Sequence, residues 1–441
     1  MSALVTGLST SVVNTLLPVI ARFFAAEVAT VEWVVTLYLL VVSGLLLAFG
    51  RLGDLLGHRR IYLSGVALFT AGMGLSGLAP SIAALILFRA LQGVGAAMLF
   101  ATAPAILTRA FPPSQRGQAL GLNALATYLG LVAGPSMGGW LATAYGWRSV
   151  FYANVPLGLL ALLLGARFVP AEGGRREGET FDALGAGLFT TGLVALLLGL
   201  NRGSVWGWGA PQTWGLLALA ALLLTAFVVV ERRRAAPLLD LALFRIRLFS
   251  AATLSATLNY LCVYGILFLM PFYLIDGRGL TPARAGAILT AQPIVMALAA
   301  PVTGAISDRV GSRLLSTLGM GLLALSLFLY ARLGATTPLP QVAAVMALSG
   351  LGVGLFTTPN TSALMGAAPP HRKGIASAVV ATARNLGMAL GVGVTGAVFN
   401  TVRASASLFE GATASFLVLV GVALAGMVAS VTRSSSDDAV A

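Results

Sequence analysis

Acidic charge is what this chain has least of. It carries 14 aspartates and glutamates against 27 lysines and arginines, and charged residues make up only 9% of its 441 positions. Soluble domains of average composition are about 25% charged, so a water-soluble globule is excluded. Cysteine is nearly absent too: Cys262 stands alone in an apolar run, which rules out an internal disulfide and any cysteine metal cluster. The two histidines, His58 and His371, both fall in polar stretches and read as solvated surface groups, leaving no set for a histidine-ligated metal. There is no GxxxxGK[ST] phosphate loop, no zinc-ligand spacing and no nucleophile, base and acid set. An enzyme or a nucleotide-driven pump is therefore not expected, and neither a metal nor any other cofactor is called for.

What is abundant is apolar surface. Hydrophobic residues make up 58% of the chain, and mean hydropathy is +0.93. The apolar runs reach the ~20 residues that a helix needs to cross a bilayer. They do not alternate as barrel strands would, so a polytopic helical membrane protein is predicted. The net charge of +13 does not indicate nucleic acid, because the basic residues are strung out singly or in twos and threes between apolar runs. The expected surroundings are a lipid bilayer, with no nucleic-acid partner.

Spans are predicted at residues 3–23, 31–49, 61–79, 82–107, 117–142 and 150–168, then 184–200 and 214–230. Six more follow at 249–275, 283–306, 314–331, 342–364, 375–402 and 414–431. The first run has no basic leader and reads as a span rather than a cleaved signal. With the amino terminus inside, eighteen of the basic residues fall in cytoplasmic segments and seven outside, with Arg89 and Arg384 left within spans. The positive-inside rule then places both termini in the cytoplasm of a multi-pass cell-membrane protein, expected in a bacterial cytoplasmic membrane.

The chain repeats itself. GRLGDLLGHRR (residues 50–60) returns as GAISDRVGSRL (residues 304–314), with Gly50, Asp54, Gly57 and Arg59 matched by Gly304, Asp308, Gly311 and Arg313. A second pair of segments, from Gln115 and from Arg372, aligns at one constant offset, so that Gly130 matches Gly387, Gly134 matches Gly391 and Gly139 matches Gly396. Two six-helix halves are implied, with two inserted spans between them. The predicted organisation is an all-α integral membrane fold of about fourteen spans: an N-terminal bundle over 1–170, a linker with two additional helices over 171–246, a C-terminal bundle over 247–433 and a cytoplasmic tail over 434–441. Parallel repeats of this kind place a substrate site between the halves near the midplane.

These segments resemble the major facilitator superfamily, and within it the fourteen-span drug:proton antiporter branch, over essentially the whole chain. GRLGDLLGHRR resembles the loop motif between spans two and three. RALQGVGAA (89–97) resembles the fourth-span motif, GLVAGPSMGG (130–139) the antiporter motif of span five, and WVVTLYLL (33–40) the second span of the branch. The resemblance implies a secondary transporter working by alternating access, a proton-coupled exporter of drugs or amphipathic compounds that acts as a monomer. One departure stands out. Where the branch places an aspartate in span one, this chain reads LSTSVVNTLLP with Ser9, while Asn14 and Pro18 still match.

Candidate functional residues follow from cost and placement. Arg89 and Arg384 lie within apolar spans, where a charge costs at least about 2.5 kcal/mol unless it meets a partner or water. They are expected either to line the central cavity or, for Arg89, to be tied to backbone carbonyls of span one. Asn14, Tyr38, Gln92, Asn123, Tyr128, Asn259, Tyr260, Gln292 and Asn360 are candidate substrate contacts, each of which could equally be a helix-to-helix hydrogen bond. Gly50, Asp54, Gly57, Arg59, Asp308 and Arg313 are candidate gating residues, the two aspartates as latches against helix N-termini and neighbouring arginines. Gly130, Gly134, Pro135, Gly138 and Gly139 clear and bend one helix face, with Gly134, Pro135 and Gly139 as gating candidates. Every acid falls in a loop, a tail or a span end, and only Glu32 and Asp276, near the outer mouth, remain as proton-coupling candidates. A cavity neutral to positive at midplane follows, suited to neutral, amphipathic or anionic substrates. Export of a lipid-like or anionic metabolite is the alternative. A transport-inactive receptor or scaffold is disfavoured, since the short loops leave no soluble domain.

Overall fold

The structure, a computed structural model, describes residues 1–112, 116–170, 182–234, 241–367 and 373–432. The side chains of some residues inside helices, Asp54 and Asp308 among them, lie outside that description, as does His371. Each predicted span is a helix. In order they are α1 (Ser2–Phe23), a one-turn α2 (Val28–Val31), α3 (Trp33–Leu56), α4 (His58–Leu78), α5 (Ile82–Ala110), α6 (Arg116–Tyr145) and α7 (Arg148–Phe168). The inserted pair is α8 (Ala183–Trp206) and α9 (Pro211–Arg233). Then come α10 (Arg247–Pro271), α11 (Pro282–Leu289), α12 (Ala291–Val310), α13 (Ser312–Ala331), α14 (Leu339–Ala367), α15 (Lys373–Ser405) and α16 (Leu408–Val431). Thirteen segments among the described residues are long and apolar enough to cross a bilayer, and α6, at 30 residues, is the remaining helix of that length. The span predicted over 283–306 is broken into α11 and α12 at Thr290, whose hydroxyl donates to the Gly286 carbonyl at 2.8 Å.

Local chemistry sets several ends. Ser81 caps α5 by accepting from the Ala84 amide at 3.2 Å, and Ser407 with Glu410 forms a reciprocal capping box on α16. The repeated polar stretch behaves differently from expectation. Left between the spans predicted at 31–49 and 61–79, it is helical: α3 runs to Leu56 and α4 starts at His58, so Gly57 alone separates them, just as Gly311 alone separates α12 from α13. Both glycines sit at positive φ, 95° and 83°, where a side chain is strained. Gly57→Ala is expected to cost about 1–3 kcal/mol. Gly50→Ala, inside α3 with open space at its Cβ position, should gain about 0.8–1.0 kcal/mol from helix propensity. Thermal unfolding of the purified variants checks the contrast.

The described residues divide into two compact units, one holding Met1–Gly199 and Trp214–Leu238, the other Leu200–Thr213 and Leu239–Ala441. In the first, α1 packs on α6, α3 and α4 pack on α5, and α4 packs on α7. In the second, α10 packs on α15, α12 and α13 pack on α14, and α13 packs on α16. The internal repeat is thus a repeat of packing. Backbones approach closely at equivalent places: a Cβ on Gly95 would stand 2.7 Å from the Gly65 carbonyl, and one on Gly319 would stand 2.7 Å from the Gly352 carbonyl. Without a hydrophobic drive between helices in lipid, such small-residue contacts let dispersion hold the bundle. The inserted α8 docks on α3, with the Thr190 hydroxyl donating to the Gly44 carbonyl at 3.0 Å. Large apolar side chains exposed on α7 and α9, such as Leu163 and Leu222, suit a lipid-facing surface.

Candidate functional site

The charged centre of the first unit is Arg89, in the second turn of α5 and only 1% exposed. Its Nε donates to the Val34 carbonyl of α3 at 3.1 Å. Its Nη1 donates to Oε1 of Gln92, one turn further along α5. The guanidinium lies 4.2 Å from the centroid of the Tyr38 ring, a cation–π contact that is worth most when desolvated. Gln92 in turn donates from Nε2 to the Ser9 hydroxyl of α1 at 2.9 Å. Three helices are joined through one cation. The partner carbonyl belongs to span two, not span one, which corrects the expected backbone tie. The position of Ser9, singled out as a departure from pattern, is part of this network.

The second unit holds a looser counterpart. Arg384 on α15 is half-buried and hydrogen-bonds the half-buried Tyr260 on α10. The first unit thus sets Arg89 against Tyr38, and the second sets Arg384 against Tyr260 and Arg278 against Tyr273. The other predicted contacts are dispersed. Asn14 donates back to Thr10 on its own helix at 3.0 Å, Asn360 donates to the Ala252 carbonyl at 3.1 Å, and Asn259 Nδ2 lies 3.3 Å from Met320 Sδ. These are helix-holding bonds. The remaining polar atoms of these side chains are not all spent, however: Asn14 Oδ1, Asn259 Oδ1 and Gln292 Nε2 are buried without a hydrogen-bond partner among the described residues. Asn123 and Tyr128 are half-buried on α6.

Charges at span ends are less solvated than their sequence positions suggest. His58, expected to be a surface histidine, is only 3% exposed because it starts α4 inside the bundle against Gly53. Glu32 is fully buried at the start of α3, and Asp182 and Glu231 are buried as well. Asp182 caps α8 by accepting from the Gly185 amide at 2.9 Å, and its Oδ2 lies 3.4 Å from Arg234 Nε. This cluster escaped the sequence reading, although an aspartate immediately before an apolar run is an N-cap signal. Asp276 is half-buried in a π-helical turn, Phe272–Gly277.

Of the gating candidates, Arg59 donates to the Ala166 carbonyl at 2.8 Å and so covers the C-terminal end of α7. Arg313 is half-buried at the start of α13. The latch expected of Asp54 and Asp308 falls on side chains outside the described residues. Gly134 and Gly138 face Ser11 and Val12 of α1, while Pro135 lies inside α6 and Gly139 is buried beside it. Among the described residues no group of histidines, cysteines and acids could hold a metal ion.

Comparison with known proteins fits this architecture. The profile of the Major Facilitator Superfamily matches residues 1–241 and 252–439. The riboflavin transporter RibZ of Clostridioides difficile (strain 630) is 35% identical over 382 residues, 86% of this chain and 82% of that protein. The multidrug resistance protein Stp of Mycobacterium tuberculosis (strain CDC 1551 / Oshkosh) is 36% identical over 390 residues, 88% of this chain and 72% of that one. Among solved structures, a bacterial homolog of the human lysosomal transporter Spinster, inward-facing and unoccupied, superposes with a TM-score of 0.68 at 16% identity, covering 97% of this chain and 94% of that chain.

Proposed function

The chain belongs to the Major Facilitator Superfamily and is a membrane transporter rather than an enzyme, and we propose that it is a proton-coupled exporter of amphipathic compounds, drugs among them. In this reading it belongs to the fourteen-span drug:proton antiporter branch, works as a monomer in the cell membrane with both termini inside, and alternates access between its two sides. The relative named as a multidrug resistance protein supports the substrate breadth. The observation that carries the charge preference is Arg89: a buried cation whose neighbours in the bundle are a carbonyl, an amide and a ring. A site of that polarity favours neutral or anionic amphiphiles over permanent cations. Within the first unit, the unspent buried Oδ1 of Asn14 would be satisfied by a polar edge of the cargo.

A second reading has its own support. The half-buried Arg384–Tyr260 pair of the second unit suits a planar metabolite with hydrogen-bonding edges, and one relative is named for riboflavin. Cells expressing the protein are expected to extrude neutral and anionic amphiphiles faster than permanently cationic dyes. The opposite preference would sink the polarity argument. Glu32, fully buried two residues before the Val34 that holds Arg89, and Asp276 are the proposed proton carriers. In proteoliposomes, Glu32→Gln or Asp276→Asn should abolish substrate-induced proton movement while substrate binding persists. Proton movement retained in both variants removes both residues from the mechanism.

A further inference from the structure

The Arg89 network has a direction. A guanidinium can only donate, so Gln92 must turn its oxygen toward Arg89 and its amide nitrogen toward Ser9; the usual ambiguity of an amide flip is removed by chemistry. The Ser9 oxygen therefore accepts, and the hydroxyl keeps its proton and one further lone pair. On the same helix Thr6, Thr10, Ser11 and Thr15 each donate to a carbonyl one turn back, at 2.9 to 3.2 Å. Ser9 does not: at 4% exposure its O–H has no acceptor among the described residues. A buried donor left unspent is costly unless something else satisfies it.

We propose that Ser9 is a specificity-determining residue, presenting its hydroxyl proton, oriented by Gln92 and Arg89, to an acceptor oxygen on a neutral or anionic substrate. Arg89 and Gln92 are positioning residues here: they fix which way the hydroxyl points without touching the cargo. The relay disfavours a cationic or donor-only group at this place, because such a group would leave the Ser9 proton unspent and face the cation behind it. The inference rests on the transport reading and sharpens it, since it assigns the charge preference to one atom. Ser9 is buried in this state, and alternating access would uncover such a group in turn.

The test compares two probes on the purified full-length protein and in proteoliposomes: fluorescein, an anion rich in acceptor oxygens, and tetraphenylphosphonium, a cation with none. Wild type is expected to bind fluorescein more tightly. Ser9→Ala should weaken fluorescein binding about tenfold, the effect of losing one hydrogen bond to a charged acceptor, and Ser9→Thr, which keeps the O–H, should restore it. Gln92→Glu is the decisive variant, because a carboxylate accepts from both Arg89 and Ser9 and so reverses the hydroxyl. Fluorescein binding should fall about tenfold there as well, and tetraphenylphosphonium binding should rise, a change in charge preference that simple loss of packing would not produce. Fluorescein affinity unchanged in both Ser9→Ala and Gln92→Glu, or no fluorescein binding by wild type, overturns the proposal. Binding that depends on Ser9 without any fluorescein flux would leave the recognition role standing and remove the transport reading.

Discussion

Replacing Arg89 with methionine is expected to stop transport while leaving the protein folded. Arg89 is 1% exposed, and its partners among the described residues are the Val34 carbonyl, the Gln92 amide oxygen and the face of Tyr38, none of them a carboxylate. A buried cation held this way carries a large desolvation cost, and exchanging such a group for an apolar one of similar volume is often neutral or stabilising. Methionine has nearly the volume of the arginine it replaces, so thermal stability should move by no more than about 1–2 kcal/mol, mainly from the unsatisfied Gln92 oxygen. Transport should nevertheless fall by more than about tenfold, because the cation that sets the polarity of the Gln92 and Ser9 chain is gone. Arg89→Lys should fare little better: an ammonium cannot keep the planar fork that reaches Val34 and Gln92 together while lying over Tyr38. Arg89→Ala is the contrasting case, leaving a cavity and a destabilisation of about 2–4 kcal/mol. Flux in proteoliposomes and melting of the purified protein separate the two effects. Wild-type flux in Arg89→Met would show that the arginine is merely packed.

The long elements were legible because lipid imposes one solution on an apolar run, a helix with its backbone bonds closed within itself. The repeat was legible for a related reason: glycines at a constant offset fix where backbones can touch, and α6 and α15 carry them at matched places. What could not be read was direction. Asn14, Arg89 and Gln92 are all polar residues in spans, but only coordinates show that Asn14 bonds its own helix while Arg89 and Gln92 bridge three. The polar stretch around Gly57 has loop composition without loop conformation. Arginines and an aspartate near a membrane surface are compatible with helix right up to the single glycine that breaks it. Likewise a histidine between apolar runs gives no sign that its neighbours will close over it, as Gly53 permits for His58.

Gly130→Ala and Gly387→Ala are expected to be among the most disruptive single-methyl additions at the described glycines, and nearly equal in effect. A Cβ on Gly130 would stand 2.3 Å from the Leu4 carbonyl oxygen and 2.6 Å from the Leu8 amide nitrogen; one on Gly387 would stand 2.3 Å from the Thr257 carbonyl oxygen. In both cases the obstacle is backbone of the facing helix, so no side-chain rotation relieves it and the two helices must separate. Overpacking of this kind costs about 1–3 kcal/mol in ordinary cores, and the upper part of that range applies where α1 or α10 must move as a body. Gly134→Ala differs in kind. Its nearest obstacle is the Ser11 hydroxyl at 1.8 Å, which can rotate away, although the Ser11 Cβ at 2.9 Å still crowds it. The control is Gly421→Ala in α16, where nothing lies within 4 Å and helix propensity favours alanine by about 0.8–1.0 kcal/mol. Melting temperature and flux measured on all four variants test two roles at once. If the glycines only let the helices touch, stability and transport should fall together in Gly130→Ala and Gly387→Ala, and a second-site reduction on the facing helix should recover both. If α6 also bends during transport, Gly134→Ala should lose flux well beyond its loss of stability, because the bend at Pro135 needs the clearance that a methyl removes. Melting temperatures of Gly130→Ala and Gly387→Ala that match wild type would mean that α1 and α10 yield to the methyl groups, and the shared close approach would then not be what holds the two repeats.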